Sequence, residues 1–255
     1  MPVDRRIFKT PFYKGSPPQW PCPTCGKGVL KGENSSWIKN ELKSSADVHG
    51  HEDFEPEWIE YIYSCIFICT NPNCGEKIAS VGIGSVEEDV EFDESGSPDS
   101  LQYTDNFRPK FFQPNLNIFN IPAKTPDNIR SEIINSFKLF FASPPAASNN
   151  IRMALELILD YLKIKKFDNK QGKRIFISLH QRIWLLPKKL NDFKEYFFAI
   201  KWLGNTGSHP SKITIDDVMD AYDILETILN EIFEKRTISI KSLVKKTNKK
   251  KGPKN

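Results

Sequence analysis

The stretch Cys22-Pro23-Thr24-Cys25-Gly26 decides the fold of the first half of the chain. Two cysteines three positions apart at a tight turn can bind one metal ion, and the following glycine lets backbone amides turn toward the sulfurs. A second pair lies in Cys69-Thr70-Asn71-Pro72-Asn73-Cys74-Gly75. Four thiolates form the closed tetrahedral set of a structural zinc site. The sequence therefore predicts one structural zinc ion per chain, bound by Cys22, Cys25, Cys69 and Cys74.

The other candidate ligands carry weaker signals. Cys65 lies inside an apolar strand pattern, so a core position is favoured, and replacement of Cys69 as a ligand stays open. His49 and His51 lie in polar sequence that is typical of a loop inserted between strands. Buried free cysteines are the alternative to a metal site. A catalytic zinc is disfavoured because four thiolates leave no open coordination position.

Proline divides the chain into two parts. Thirteen of the 18 prolines lie at or before Pro126, and proline is excluded from regular helix interiors. The first half should therefore consist of strands, turns and loops. Residues 57–69 form a strand pattern with apolar residues on both faces, residues 86–100 predict an acidic hairpin or loop, and residues 107–122 predict an extended connector.

Helical periodicity begins at Pro126 and predicts five amphipathic helices. The first helix carries Ile129, Ile133, Phe137, Phe140 and Phe141, and the second carries Ile151, Leu155, Ile158 and Leu162. The third carries Ile175, Leu179, Ile183 and Leu186, with His180 and Arg182 expected to face solvent. The fourth carries Phe193, Phe197 and Ile200, and the fifth carries Val218, Tyr222, Leu225, Leu229 and Ile232.

These patterns predict an α+β protein: a small β-rich zinc ribbon with an extended arm, followed by an all-α bundle of about five helices. The predicted parts are an N-terminal arm over 1–20, the ribbon with hairpins and connector over 21–125, the bundle over 126–236, and a basic, disordered tail over 237–255.

Charge and hydropathy exclude several classes of protein. No apolar run exceeds about five residues, whereas a membrane-spanning helix needs about 20. No apolar segment follows the N-terminus, so the sequence predicts no secretory signal and a cytoplasmic protein.

Residues 241–255 contain seven lysines and no acid; removing them from the 36 basic residues leaves 29 against 32 acidic ones. A broad basic face for nucleic acid is therefore not indicated, although the tail could contact phosphates.

The most specific stretch of the helical half is Lys201-Trp202-Leu203-Gly204-Asn205-Thr206-Gly207-Ser208-His209-Pro210. Gly204 and Asn205 tolerate the left-handed conformation that ends helices. One interpretation is a capping turn whose histidine is satisfied by the backbone. The other is a phosphate or nucleotide site with His209 as acid–base group and Asn205 as orienting group.

Arg152 and Glu156 lie one helical turn apart beside the apolar stripe of the second helix. An arginine that precedes glutamate is the weaker orientation of such a pair. This placement favours a role toward the bundle interior over a surface ion pair.

The order of these features resembles the bacterial family called domain of unknown function 4145, which often follows a zinc ribbon. The matching residues are the first cysteine pair, Phe112-Gln113-Pro114, Ile121-Pro122, Arg152-Met153-Ala154-Leu155-Glu156, and Gly204-Asn205 with His209. The resemblance implies a helical bundle related to HEPN (higher eukaryotes and prokaryotes nucleotide-binding) domains. Several of those are metal-independent ribonucleases or toxins that use an arginine, a polar residue directly after it, and a histidine a few residues on.

This chain departs from that motif because Lys201 is the basic residue before the turn, and lysine lacks the bidentate fork of arginine. The leading hypothesis is therefore a non-catalytic binding or adaptor protein, with a role in anti-phage defence that only the resemblance implies. The second hypothesis is a HEPN-like ribonuclease that uses His209, with Asn205, Lys201, Arg152 and Glu156 as the remaining site residues. The third is a nucleic-acid-binding zinc-ribbon protein.

The partners that these hypotheses predict are a protein, nucleic acid through the basic tail, and a second copy of the chain through the helical bundle. A membrane is not among them.

Overall fold

The computed structural model describes residues 5–92, 98–205, 213–234 and 236–250. The chain divides into two compact units, Val3–Asn117 and Ile118–Asn255. The first is built mainly of strands and the second mainly of helices, so the α+β prediction is confirmed at this level. The division precedes the boundary predicted after residue 125, because Phe119 already packs on Phe137 and Tyr222 of the second unit, with ring centroids 5.1 and 5.7 Å apart.

The N-terminal unit contains one antiparallel five-stranded sheet. Its strands are β1 (Leu30–Gly32), β2 (Ile38–Glu41), β3 (Glu60–Cys69), β4 (Lys77–Phe92) and β5 (Pro98–Gln113), and its short helices are α1 (Arg6–Lys9) and α2 (Lys43–Ala46). The sheet order is β1-β3-β4-β5, and β2 also pairs with β3. Part of the predicted connector is therefore strand β5, since its register places Phe107 opposite Gly84 and Phe112 opposite Ser80 of β4.

One face of this sheet carries an aromatic core. Its buried rings are Phe12, Trp20, Tyr63, Phe67, Phe107 and Phe112. The N-terminal arm covers this face: the backbone amides and carbonyls of Phe12 and Phe107 exchange two hydrogen bonds of 2.9 and 2.8 Å. The Trp20 indole donates to the carbonyl of Ile7 at 2.5 Å. The predicted extended arm is thus part of the core of the unit.

The C-terminal unit contains the long helices. They are α3 (Asp127–Leu139), α4 (Pro144–Tyr161), α6 (Lys194–Asn205), α7 (Ile215–Leu229) and α8 (Arg236–Lys250). A hairpin of β6 (Phe167–Lys170) and β7 (Lys173–Phe176) and the short helix α5 (Leu179–Trp184) lie between α4 and α6. Among the described residues, no helix combines the length and apolar character needed to cross a bilayer.

The apolar stripes predicted for α3, α4 and α7 form the core of this unit. Ile133, Leu155 and Leu225 are each fully buried. One polar contact joins three helices, because the Ser136 hydroxyl lies 2.7 Å from the Tyr222 hydroxyl and donates to the carbonyl of Ala147 at 2.8 Å. Burial raises the pKa of Tyr222. The polar atoms of both buried side chains are satisfied inside the core.

The prediction of the third helix is wrong over its first part, where the structure has a strand. Ile175 lies on β7, and a helix occupies only Leu179–Trp184. Gln171 and Gly172 have φ angles of 50° and 73°, which is the conformation of a tight hairpin turn. The Ser178 hydroxyl and the Gln181 side chain then form a capping box that starts α5.

Arg182 is buried, with 1% exposure, so the expectation that it faces solvent is wrong, whereas His180 is exposed. The guanidinium of Arg182 lies 2.6 Å from a carboxylate oxygen of Asp160 and donates to the carbonyl of Ile164 at 3.2 Å. The other oxygen of Asp160 lies 2.6 Å from the ammonium of Lys166. A carboxylate on α4 thus holds both α5 and the start of the hairpin.

The C-terminal segment also differs from the prediction, since α8 occupies residues expected to be a disordered tail. Ile240, Leu243 and Val244 follow helical spacing, and lysine has a high helix propensity. These three side chains are about half exposed.

Replacing Asp160 with alanine should destabilise the C-terminal unit by about 3 kcal/mol, because it leaves the buried Arg182 cation without its charged partner. The change is measured by urea unfolding followed by helical circular dichroism. Asp168→Ala is the matched control, since it removes the exposed pair with Lys165 and should cost less than about 1 kcal/mol. Equal losses in the two variants would contradict the role given to Asp160.

Candidate functional site

Four cysteines of the N-terminal unit converge at one end of the sheet. Cys22 and Cys25 precede β1, Cys69 is the last residue of β3, and Cys74 lies in the turn before β4. All four sulfur atoms lie within 4.8 Å of one another. The separation is 3.8 Å between Cys22 and Cys74 and 3.7 Å between Cys25 and Cys69. This cluster can hold one metal ion.

Each cysteine pair lies on a turn that ends in a left-handed glycine. Gly26 and Gly75 have φ angles of 62° and 59°, a region that favours glycine. The amide of Gly26 donates to the carbonyl of Cys22 at 2.9 Å, and that of Gly75 donates to the carbonyl of Asn71 at 3.1 Å. The two glycines singled out by the sequence therefore shape both turns around the sulfurs.

Hydrogen bonds to sulfur distinguish the two thiols nearest Asn71. Its backbone amide donates to the sulfur of Cys69 at 3.4 Å, and its side-chain amide donates to the sulfur of Cys25 at 3.6 Å. The backbone amides of Gly28 and Lys27 lower the pKa of Cys25 to about 6. Burial raises the pKa of Cys69 to about 12. Binding of a metal must therefore displace protons from the cluster, as it does wherever thiolates are the ligands.

Gly28 is a packing residue of this site that the sequence reasoning missed. A Cβ atom at this position would lie 2.5 Å from the sulfur of Cys69 and 2.8 Å from the amide nitrogen of Asn71. The carbonyl of Gly28 also accepts a hydrogen bond of 2.8 Å from the amide of Cys22. The sequence marks Gly28 only as a second glycine shortly after the first cysteine pair. It marks Asn71 equally weakly, by its place between Cys69 and Cys74.

The other candidate ligands lie outside this cluster. Cys65 is buried in β3, where burial raises the pKa of its thiol to about 12. His49 lies 2.7 Å from a carboxylate oxygen of Glu41, and His51 lies 3.8 Å from one of Asp53. Both imidazoles are thus engaged with acids of their own segment.

A second cluster forms where α4 contacts α6. A Cβ atom on Gly204 would lie 2.9 Å from the Cβ of Arg152, so glycine permits this close approach. The hydroxyl of Ser148 donates to the carbonyl of Leu203 at 3.2 Å and supports the same contact. The guanidinium of Arg152 lies 3.5 Å from the carboxylate of Glu156. The fold therefore brings Arg152 to the end of α6, which the sequence could not establish.

Lys201 adds a second cation at this place. It is 8% exposed, and its ammonium lies 3.5 Å from the centroid of the Trp202 ring. Burial and the positive charge of Arg152 lower the pKa of Lys201. Asn205 ends α6, but its side chain and all of His209 lie outside the described residues. The fold thus brings together Arg152, Lys201 and Glu156 of the predicted ribonuclease site.

Comparison with known families bears on both units. Residues 135–251 match a family model described as domain of unknown function 4145. This confirms the resemblance. Residues 10–112 match a second model, described as domain of unknown function 8608, which covers the sheet and the four cysteines. Neither a curated protein nor a solved structure matches the chain.

Replacing Cys22 and Cys25 together with serine should lower the metal content of the purified protein from one ion per chain to almost none, because half of the sulfur ligands are lost. Elemental analysis measures both the amount and the identity of the ion. Cys65→Ala is the matched control and should retain the metal, since Cys65 is outside the cluster. A full metal complement in the double serine variant would exclude the proposed ligands.

Proposed function

We propose that the chain is a non-catalytic binding protein in which a structural zinc ion fixes a sheet that docks a protein partner. The observation that carries the proposal is an apolar sheet face of the N-terminal unit that is exposed to solvent. The role in anti-phage defence stays a prediction that comes from the family resemblance.

Zinc is the metal that this cluster fits best. A tetrahedral ion with Zn–S bonds of about 2.3 Å holds its sulfurs about 3.8 Å apart. Two sulfur separations, 3.7 and 3.8 Å, agree with that geometry, and all four sulfurs lie within 4.8 Å of one another. Four thiolates leave no open position for a substrate or an activated water. These points support a structural zinc ribbon, with Cys22, Cys25, Cys69 and Cys74 holding the ion, over a catalytic metal site.

The exposed face consists of the side chains that alternate with the aromatic core. An antiparallel sheet with one solvated face normally carries polar residues there. Here Ile62 pairs with Ile83, and Val81 pairs with Phe111, all on the outward side. Their exposures are 47%, 39%, 44% and 49%. A contiguous apolar face of this kind is typical of an interaction surface.

A depression of about 370 Å³ lies in this face. Ile38, Val81 and Phe111 line it, together with Ser64 and Ala79. None of its lining residues is acidic, basic or a histidine. The one thiol of the lining, Cys65, has a pKa that burial raises to about 12. Such a lining offers burial and shape but no acid or base that titrates near neutral pH, which supports docking over catalysis.

For the C-terminal unit we propose a HEPN-like bundle in which α3 to α7 supply the five predicted helices.

A second candidate function, a metal-independent ribonuclease, rests on the contact between α4 and α6. There Arg152 and Lys201 place two positive charges beside the helix end that leads to His209. In this mechanism Arg152 would stabilise the charged phosphorane and His209 would assist attack of the RNA 2′-hydroxyl.

A photo-crosslinking amino acid at position 81 should form one protein adduct in the producing cells, because this position lies at the centre of the apolar face. Mass spectrometry identifies the adduct. Position 87 is the matched control, since Glu87 is exposed on the same strand and the same face. Val81→Asp should abolish the isolated complex and leave the melting temperature unchanged. Equal crosslinking at both positions, or none at position 81, would contradict the docking proposal.

The ribonuclease candidate predicts that His209→Ala abolishes cleavage of labelled RNA in the presence of a chelator. Loss of a general acid–base group lowers a rate by about 10²–10⁴-fold. The binding-protein proposal predicts instead that neither wild type nor variant cleaves RNA. Cleavage by wild type alone, ending in a 2′,3′-cyclic phosphate, would make the protein an enzyme.

A further inference from the structure

An exposed aromatic patch lies where α5 contacts α6 in the C-terminal unit. Trp184 and Trp202 are 57% and 58% exposed, although indole rings are usually well buried. His180 is also exposed, and it lies one helical turn before Trp184 on the same face of α5. The imidazole of His180 contacts both indoles, with ring centroids 6.4 Å apart in each case. The three rings therefore form one continuous surface.

The rings of this patch are fixed by contacts beneath and between them. Phe198 of α6 is 7% exposed, and its ring centroid lies 4.9 Å from that of His180 and 5.4 Å from that of Trp184. The indole N–H of Trp184 donates to Nε2 of His180 at 3.3 Å. A surface held in this way loses little conformational entropy when a ligand binds.

A lysine lies at each end of the patch, in contact with its rings. The ammonium of Lys194 is 5.3 Å from the centroid of the Trp184 ring, and that of Lys201 is 3.5 Å from the centroid of the Trp202 ring. Both lysines are on α6, and the seven positions between them correspond to about 10.5 Å along the helix axis. The cations and the rings therefore belong to the same surface.

The charge of these lysines is not neutralised by ion pairs. The acids nearest to Lys194 in the sequence are Asp192 and Glu195, both of which are exposed. Neither Lys194 nor Lys201 forms an ion pair with a residue that the structure describes. Lys201 is 8% exposed, and the one charge that shifts its pKa is the positive charge of Arg152. A nearly buried ammonium beside a guanidinium favours an anionic ligand.

We propose that this α5–α6 patch binds single-stranded nucleic acid. Rings on which bases stack, combined with cations that contact the phosphates, are the two elements of such sites. Their order fits as well, since a cation, three rings and a second cation follow one another along the surface, as phosphates and bases do along a strand. The polar atoms of the contact between His180 and Trp184 already bond each other, so binding depends on stacking and not on base sequence.

The patch differs from a membrane anchor and from the surface of the proposed function. Insertion of the indoles into a bilayer would carry the ammonium groups of Lys194 and Lys201 into the apolar phase, which is unfavourable. The patch lies in the C-terminal unit, whereas the apolar sheet face lies in the N-terminal unit. It includes Lys201 of the ribonuclease candidate, but binding of a strand does not require cleavage.

The test measures binding of a fluorescent oligothymidine to the full chain by anisotropy at several salt concentrations. This DNA lacks the 2′-hydroxyl that the ribonuclease candidate attacks, so binding is measured whether or not the protein cleaves RNA. For single strands the slope of log K against log salt is about −0.7 per neutralised phosphate. Lys194→Ala should therefore reduce the magnitude of the slope by about 0.7. Lys138→Ala, which removes an exposed lysine of α3, is the matched control and should leave the slope unchanged.

Ring variants test stacking. Trp184→Leu and Trp202→Leu each keep an apolar side chain but remove a ring, and the affinity should fall about 5- to 150-fold in each, the range for loss of one stacked base. Tyr161→Leu is the matched control and should bind as the wild type does, since Tyr161 is 50% exposed and packs on Phe233. Circular dichroism melting curves show whether each variant is folded.

Three results would overturn the proposal. The first is an equal loss of affinity in Lys194→Ala and Lys138→Ala, which would assign binding to diffuse charge. The second is unchanged affinity in both tryptophan variants, which would exclude stacking. The third is no binding of oligothymidine by the wild type. If Trp184→Leu then converts a sedimenting dimer into a monomer, the patch is a contact between copies, and if it abolishes binding to phosphatidylserine vesicles, the patch is a membrane surface.

Discussion

The convergence of four cysteine sulfurs fixes the register of the N-terminal sheet. β3 has apolar side chains on both faces, so its hydrophobic pattern alone specifies register weakly, and a slip by one residue would exchange the two faces. Cys69 ends this strand opposite Leu30 of β1, while its sulfur lies beside that of Cys25. A slipped register would move Cys69 away from the cluster. The sulfur contacts therefore decide that Tyr63 and Phe67 face the core and that Ile62 faces outward.

The sequence predicted the features that depend on local spacing. The cysteine pairs and the stripe through Ile133 and Phe137 are patterns within one turn or one helix, and both are present in the structure. The prediction from the sequence failed where a local turn preference competed with a helical pattern. Ile175 fits a helix by spacing, but the left-handed conformations of Gln171 and Gly172 turn the chain into a hairpin.

Contacts between distant elements could not be predicted. The charge of Arg182 favours the surface, yet the residue lies three positions after Leu179 on the buried side of α5, where Asp160, 22 positions earlier, supplies the opposite charge. Arg152 and Gly204 illustrate the same limit, since nothing in either segment shows that α4 and α6 touch there. Asn71 is part of the candidate metal site only because the fold brings its two amide groups to the sulfurs of Cys25 and Cys69.

The two units owe their stability to different interactions, and this difference explains their different surfaces. The helical unit buries a continuous core and can use charged residues freely outside it, as the exposed Lys170, Lys173 and Arg174 of the β6–β7 hairpin show. The sheet unit has only one buried face, so it gains less from burial, and a metal cluster can supply the missing free energy. Because the cluster lies at the end of the strands, the second face does not have to be covered for the unit to fold. In the proposed function, a metal bound at the cluster would thus permit the apolar face to remain exposed until a partner binds it.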